Sequence, residues 1–337
     1  MRIILDGMGG DNAPQSTVQG AIEALHFIEH DIFILGDESL IHDELSKYEF
    51  DGTRIHVIPT TEVITNDDSP VKAVRSKLDS SLVRGINMVK DGEGDLFVSA
   101  GSTGAMMAAG LFILQRITGI DRPAIATIYP ILGKGFSLLV DAGANSECRA
   151  SNYLEFAAMG SIYMEKVMGV ENPKIGLVNI GVEEQKGTAT IKEAYRLLSK
   201  SKLNFIGNVE ARELPQGVCD VIVTDGFVGN VILKLTEGLA LNILSTVKQK
   251  MMSSSLSKLG ALLMKGKLKE LKDEFDYSEY GGAPLLGVRG PIIKMHGSSN
   301  AKSVKNSIIK AVPFMEGNII GIIETTIVNL KEISVAE

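Results

Sequence analysis

The chain has 337 residues, with 34 basic against 41 acidic side chains and a formal charge of −7. Its 45% hydrophobic and 22% charged residues describe an ordinary folded protein and exclude a disordered chain, which needs low hydrophobicity and high charge. The acidic balance argues against nucleic acid as a partner, and the absence of Trp beside only 11 Phe and 7 Tyr argues against a stacking platform.

The predicted elements follow in chain order. The N-terminal strand Arg2–Leu5 meets Asp6 at once, too soon for the apolar core of a signal peptide. Further short runs rich in Val, Ile and Leu predict strands at Ile32–Leu35, Arg54–Ile58, Leu96–Ser99, Ser137–Val140, Lys174–Asn179, Asn204–Gly207 and Val221–Val223. Between them, helices are expected at Ser16–Glu29, Val71–Lys90, Gly104–Gln115, Asn152–Met168, Thr190–Ser199, Val228–Gln249 and Ser303–Asn318. Strands that are apolar throughout are buried on both faces, so the alternation predicts a doubly wound α/β/α sandwich. No repeat or long linker divides the chain, so one α/β/α unit over residues 1–337 is expected, with room for two lobes around a cleft. No run approaches the roughly 18 consecutive apolar residues of a membrane span. Cys148 and Cys219 form no CxxC pair, so reduced thiols in a cytoplasmic protein are expected, and zinc is not.

Glycine is the compositional outlier, with 35 residues against an average of about 7% of a chain. The glycines gather where predicted strands end: 6–11 (DGMGGD), 100–104 (AGSTG), 141–145 (DAGAN), Gly181, and 224–230 (TDGFVGN). Glycine there permits positive φ and lets backbone N–H groups approach an anion. Open α/β sheets bind ligands outside strand carboxyl ends. A small anionic ligand is therefore expected, with Gly9, Gly10, Asp11, Gly101, Ser102, Thr103, Gly104, Asn145, Asn179 and Asp225 as substrate-binding candidates. Neither GxGxxG nor GxxxxGK[ST] occurs, which disfavours a dinucleotide or P-loop site. There is no GxSxG elbow, and Cys148 has no visible base partner.

Two further residues could carry chemistry. Lys186, in 179–187 (NIGVEEQKG), is a point charge suited to phosphate, although an isolated loop lysine is commonly only solvated. His296 could donate a proton or hydrogen bond, while Ser298, Ser299 and Asn300 beside it suit helix capping. Asp6, Asp141 and Asp225 close strands, where turn and cap duty is the default, and their spacing matches no metal signature.

Laid side by side, these blocks resemble the bacterial phosphate acyltransferases of phospholipid synthesis. The resemblance runs from Asp6 to Ser299 through 6–14 (DGMGGDNAP), 99–105 (SAGSTGA), 141–145 (DAGAN), 179–187 (NIGVEEQKG), 208–212 (NVEAR), 224–230 (TDGFVGN), 280–287 (YGGAPLLG) and 296–299 (HGSS). Gly7 and Ser102 stand where the family pattern has Ala and Asn, and Arg149-Ala150-Ser151 replaces a Lys-Pro-Glu. The resemblance implies a fold like that of phosphotransacetylases and isocitrate/isopropylmalate dehydrogenases. It implies a reaction in which inorganic phosphate attacks the thioester of a long-chain acyl-carrier protein, giving acyl phosphate for glycerophospholipid synthesis without a cofactor. On that basis Lys186 and the Gly101–Gly104 backbone are assigned to phosphate, and Asn230 and His296 to oxyanion support or protonation of the departing thiolate. A homodimer, peripheral contact with anionic membrane and a downstream glycerol-3-phosphate acyltransferase are also implied.

One region departs from the acidic average. From Lys248 to Lys272 there are seven lysines and one acid, Glu270, for a local charge of +6 against −13 elsewhere. Met252, Leu256, Leu259 and Leu263, then Met264, Leu268, Leu271 and Phe275, form two amphipathic stripes with Gly260 and Gly266 near a possible turn. A helical arm over 245–276 is expected. Its tip around Leu259, Leu262, Leu263, Met264 and Lys265 could touch anionic lipid or the acidic carrier, or its apolar face could pack in a dimer. Two other functions stay open from the residues: a nicotinamide-dependent β-decarboxylating dehydrogenase, and a non-catalytic membrane scaffold for acyl-carrier protein.

Overall fold

The computed structural model describes residues 1–131, 133, 135–274 and 281–335. Eleven strands form one continuous sheet. They are β1 (Arg2–Asp6), β2 (Asp31–Gly36), β3 (Ile55–Pro59), β4 (Leu96–Ser99), β5 (Ala124–Ile131), β6 (Gly135–Val140), β7 (Ile175–Asn179), β8 (Phe205–Glu210), β9 (Val221–Val223), β10 (Ala283–Leu286) and β11 (Ile292–Lys294). Their order across the sheet is β3, β2, β1, β4, β11, β10, β5, β6, β9, β7, β8.

The helices are α1 (Gln15–Ala24), α2 (Glu38–Leu45), α3 (Pro70–Ser76), α4 (Ser81–Lys90), α5 (Thr103–Ala109), α6 (Ala150–Lys166), α7 (Ala189–Lys200), α8 (Gly226–Met251), α9 (Ser255–Glu274), α10 (Ala301–Glu316) and α11 (Ile319–Val335). A π-helical turn, Gly110–Leu114, extends α5. Alternate strand residues feed two core layers. Ile3, Leu5, Ile32 and Ile34 pack with α1, α6, α10 and α11, while Ile4, Leu35, Phe97 and Ile222 pack with α4, α5 and the start of α8. That alternation makes the three-layer α/β/α sandwich, because the central strands bury both faces while the edge strands β3 and β8 stay partly exposed.

The eight predicted strands all form. Missing from the sequence reading are β5, β10 and β11, and these set the topology. Strands β3, β2, β1, β4 and β11 are mutually parallel, and so are β6, β9, β7 and β8. Between them β10 is antiparallel to both β11 and β5, and β5 is antiparallel to β6. Counting reversals, the two parallel groups run in opposite senses. Their carboxyl ends therefore do not share a single edge, as a uniformly parallel sheet would require.

Other departures have local causes. The predicted helix Val71–Lys90 is two helices, because the chain turns at Lys77 and Ser80 caps α4 by accepting a hydrogen bond from the Val83 N–H at 3.3 Å. The turn of the arm lies at Met252–Ser254, and α9 runs unbroken through Gly260 and Gly266. Ser254 accepts from the Ser257 N–H at 3.1 Å, which supplies a start signal that offsets part of the roughly 1 kcal/mol cost of each internal glycine. Leu259, Leu262, Leu263 and Lys265 thus lie along the second helix of the arm, not at its tip, and Phe275 lies outside the described residues. Contrary to the expectation from consecutive apolar residues, α8 is long and apolar enough to cross a membrane by length and composition. Its apolar run is broken only by polar residues such as Asn230, Lys234 and Glu237, and these face a cavity.

Candidate active site

The ladder between β5 and β10 is short: Leu285 pairs with Ile125 and Leu286 with Ala124. Beyond that the strands part, and a cavity of about 550 Å³ opens in the wedge. One side is built from Asp11 after β1, Gly101 and Thr103 after β4, and Lys294–Gly297 at the end of β11. Facing it are Ile125 and Thr127 of β5, Ala142 and Gly143 after β6, and Asn230, Leu233, Lys234 and Glu237 of α8. Loops of both parallel groups meet here, although their strands run oppositely.

Two buried aspartates hold the loops. Asp6 accepts the Ser81 and Ser99 hydroxyls, both at 2.6 Å, and the Met8 N–H at 3.2 Å. Asp141 accepts the N–H groups of Ile125, Gly143, Ala144 and Asn145 at 2.7–3.1 Å, and the Asn145 side-chain amide at 2.9 Å. Burial pushes both carboxyls up, opposed by these donors. These bonds hold the loops, through backbone N–H groups and hydroxyls and, at Asp141, the Asn145 amide.

Two glycines are required by close approach. Gly10, at φ +98°, lets Asp11 donate its N–H to the Gly297 carbonyl at 2.7 Å and so joins the β1 and β11 loops. A Cβ at Gly229 would sit 1.9 Å from the Asp141 carbonyl oxygen, so only glycine allows α8 to start against the β6 loop. That start is capped by Asp225, which accepts the Val228 N–H at 2.9 Å and the Tyr153 hydroxyl at 3.1 Å.

Of the candidates from sequence, the structure brings Asp11, Gly101, Thr103, Asn230 and His296 to the cavity wall. Asn145 is a brace, donating to the Pro123 carbonyl at 2.7 Å and to Asp141, and Asp225 is a cap. Gly9 packs against Asp6 and the Gly101 N–H, and Gly104 against Pro70. Ser102 is buried at the start of α5. Lys186 and Asn179 belong to the loop after β7, outside the cavity wall: Lys186 is exposed, and Asn179 donates to its carbonyl at 3.1 Å.

A cation on this wall that sequence reasoning did not single out is Lys294. It is the last residue of a three-residue strand, too short for a periodicity signal, and nothing in its local pattern marks it. Burial pulls its ammonium down to about 8, while Asp6 and Asp11 pull the other way. Its Nζ donates to the Met295 carbonyl. Lys234 adds a second cation to the wall, and Glu237 beside it is pushed up by burial.

His296 is held below its ordinary pKa by burial and by Lys294, with Asp11 opposing and Lys234 adding to the depression. Near neutral pH its imidazole is uncharged. Nδ1 accepts the Ser298 N–H at 3.3 Å and lies 2.8 Å from the Ser298 hydroxyl, which assigns the ring hydrogen to Nε2. The residue is therefore a neutral hydrogen-bond donor. Among the described residues no group of His, Cys, Asp and Glu could hold a metal ion. Cys148 and Cys219 are pushed up to about 12 by burial, which leaves them as inert thiols.

In fold, the chain is similar to a phosphotransacetylase from Streptococcus pyogenes, with a TM-score of 0.66 at 17% identity over 94% of each chain. It is also similar to the EutD phosphotransacetylase of Staphylococcus aureus, with a TM-score of 0.60 at 17% identity over 94% of each chain. Among sequences, it is 54% identical to the phosphate acyltransferase of Alkaliphilus oremlandii over 95% of both chains. The phosphate acyltransferase of Clostridioides difficile is 51% identical over 95% of this chain and 94% of its own. Residues 1–321 match the family described as "Fatty acid synthesis protein". The chain belongs to this fatty acid synthesis family, that of the phosphate acyltransferases, and is an acyltransferase.

Proposed function

We propose that the protein moves a long-chain acyl group from the thioester of acyl-carrier protein to inorganic phosphate, giving acyl phosphate and the free carrier thiol. The observation that carries this reading is the cavity itself, where a half-buried lysine, Lys294, a second lysine, Lys234, and His296 line an opening between strands. A phosphate oxygen attacks the thioester carbonyl carbon, an O–C bond forms as the C–S bond breaks, and the sulfur leaves as thiolate, which becomes the thiol by taking from solvent the proton that hydrogen phosphate gives up. Phosphate is already nucleophilic, so the protein's tasks are orientation and relief of charge repulsion in the transition state. Lys294, desolvated and still cationic near neutral pH, is suited to hold phosphate, with Lys234 at the rim. His296 and Asn230 are suited to donate to the carbonyl oxygen as it gains charge. With its pKa held below the ordinary histidine value by burial, His296 is suited near neutral pH to hydrogen-bond support of the carbonyl oxygen.

The partners follow as part of the same proposal: acyl-carrier protein, a second copy of the chain, and an anionic membrane surface. The apolar outer face of α8, with Leu235 and Leu239 exposed, suits a second copy. The arm's Leu262, Leu263 and Lys265 suit a lipid or carrier surface, Leu263 being 81% exposed. The test is to incubate the protein with palmitoyl-acyl-carrier-protein and assay free thiol and acyl phosphate. Thiol release that requires phosphate, with acyl phosphate in equal amount, is expected. Release independent of phosphate, or none, overturns the reading.

A further inference from the structure

The wedge between β5 and β10 opens on two sides of the sheet. A second cavity of about 340 Å³ lies in the layer of α6 and α10, within the size range of small-molecule sites. Its wall includes Ala126, Leu138, Tyr163, Val167, Met168 and Ile293, and Lys310 is the one charged residue on it. Ile128 and Gly282 line both this cavity and the reaction cavity. Continuing the antiparallel register of Leu285 with Ile125 would set Gly282 opposite Ile128. The two shared residues thus face each other across the gap where the ladder has stopped.

Strand alternation explains why the two sides differ in chemistry. On β11 the successive residues Ile293 and Lys294 serve the apolar cavity and the reaction cavity respectively, and on β5 so do Ala126 and Thr127. At the gap Gly282 brings no side chain. A Cβ there would lie 2.3 Å from Ile293 Cγ2, so packing excludes a larger residue that could close the opening.

We infer that the acyl chain of the substrate threads this gap and lies in the second cavity, whose depth sets the chain length accepted. This rests on the acyl-transfer reading above. With its carbonyl at Lys294 and His296, an alkyl chain is in a cavity edged by Asp11, Lys234 and Glu237. Each methylene left in water forgoes the free energy of its burial, and the apolar space behind Ile128 supplies that burial.

The test compares octanoyl and palmitoyl thioesters of acyl-carrier protein on wild type and Met168→Trp, which fills the second cavity away from the reacting groups. The variant is expected to lose tenfold or more in kcat/KM for palmitoyl while octanoyl turnover changes less than twofold. Equal losses for both chains, or none for either, overturn the inference. Wild type is also labelled with a palmitoyl thioester carrying a terminal diazirine, which decides the matter should the variant fail to fold. Label on the carboxyl end of α6 or on α10 supports the inference, and label confined to the α8–α9 arm overturns it. Wild type that releases no thiol to phosphate from either thioester refutes the parent reading instead, a result distinct from an unchanged chain-length profile.

Discussion

Two loops of this molecule each present a lysine at a strand end, and their surroundings could hardly differ more. The loop after β7 carries Lys186, exposed to solvent, in a turn held by Asn179. The loop after β11 starts with Lys294, desolvated enough to bring its pKa to about 8, on the wall of the cavity beside His296 and Asp11. A lysine in water binds an anion only after shedding its own hydration and competing with screening ions. A lysine already desolvated has met that cost in folding, so an arriving phosphate gains more from it. The difference separates a lysine that its sequence block makes conspicuous from one that only the fold brings to the cavity.

That comparison can be broken by substitution. Lys294→Met is expected to cost about 10²- to 10³-fold in kcat/KM for phosphate, as for loss of one preorganised donor. The same change should raise thermal stability at neutral pH. A lysine pKa lowered from 10.5 to about 8 means that the buried charge is a cost. At about 1.36 kcal/mol for each pH unit, that cost is at most about 3 to 4 kcal/mol. The sign is fixed by linkage: the penalty is complete below about pH 8 and fades as pH rises toward 10.5, where the unfolded lysine also loses its proton. Loss of activity with a lower melting temperature would instead make Lys294 a structural ion-pair partner of Asp6 or Asp11.

Lys186→Ala gives the smaller effect in the same assay, at least tenfold less than Lys294→Met. An equal or larger loss would mean that the β7 loop closes over the cavity during turnover, and the contrast drawn here would fail.

Much of the fold was legible because its signals are local and repeated. Apolar runs such as Leu96–Ser99 mark strands buried on both faces, and the glycines after Asp6 and Asp141 mark the turns those aspartates organise. The opposed sense of the two strand groups was not legible. It is set by β5, β10 and β11, of which β10 and β11 span only four and three residues and are recognisable only by their partners. The site was legible in proportion. Asp11, Gly101, Thr103, Asn230 and His296 sit in blocks that draw attention by composition. Lys294, Ile128 and Gly282 gain their meaning only from how the strands are placed against one another. Asn145 and Asp225 show the reverse, since polar residues at strand ends turn out to brace and cap the loops.

The central claim is that a desolvated Lys294 is the phosphate-binding cation. The most direct measurement is inorganic phosphate binding by calorimetry to wild type and Lys294→Met, from about pH 7 to about pH 9, across the Lys294 pKa of about 8. Expressed per phosphate dianion, wild-type affinity should fall by up to about tenfold over that interval as the ammonium is lost, and the variant should bind weakly with little dependence on pH. Equal affinity in the two proteins, or a wild-type affinity that stays level through the pKa, would contradict the account.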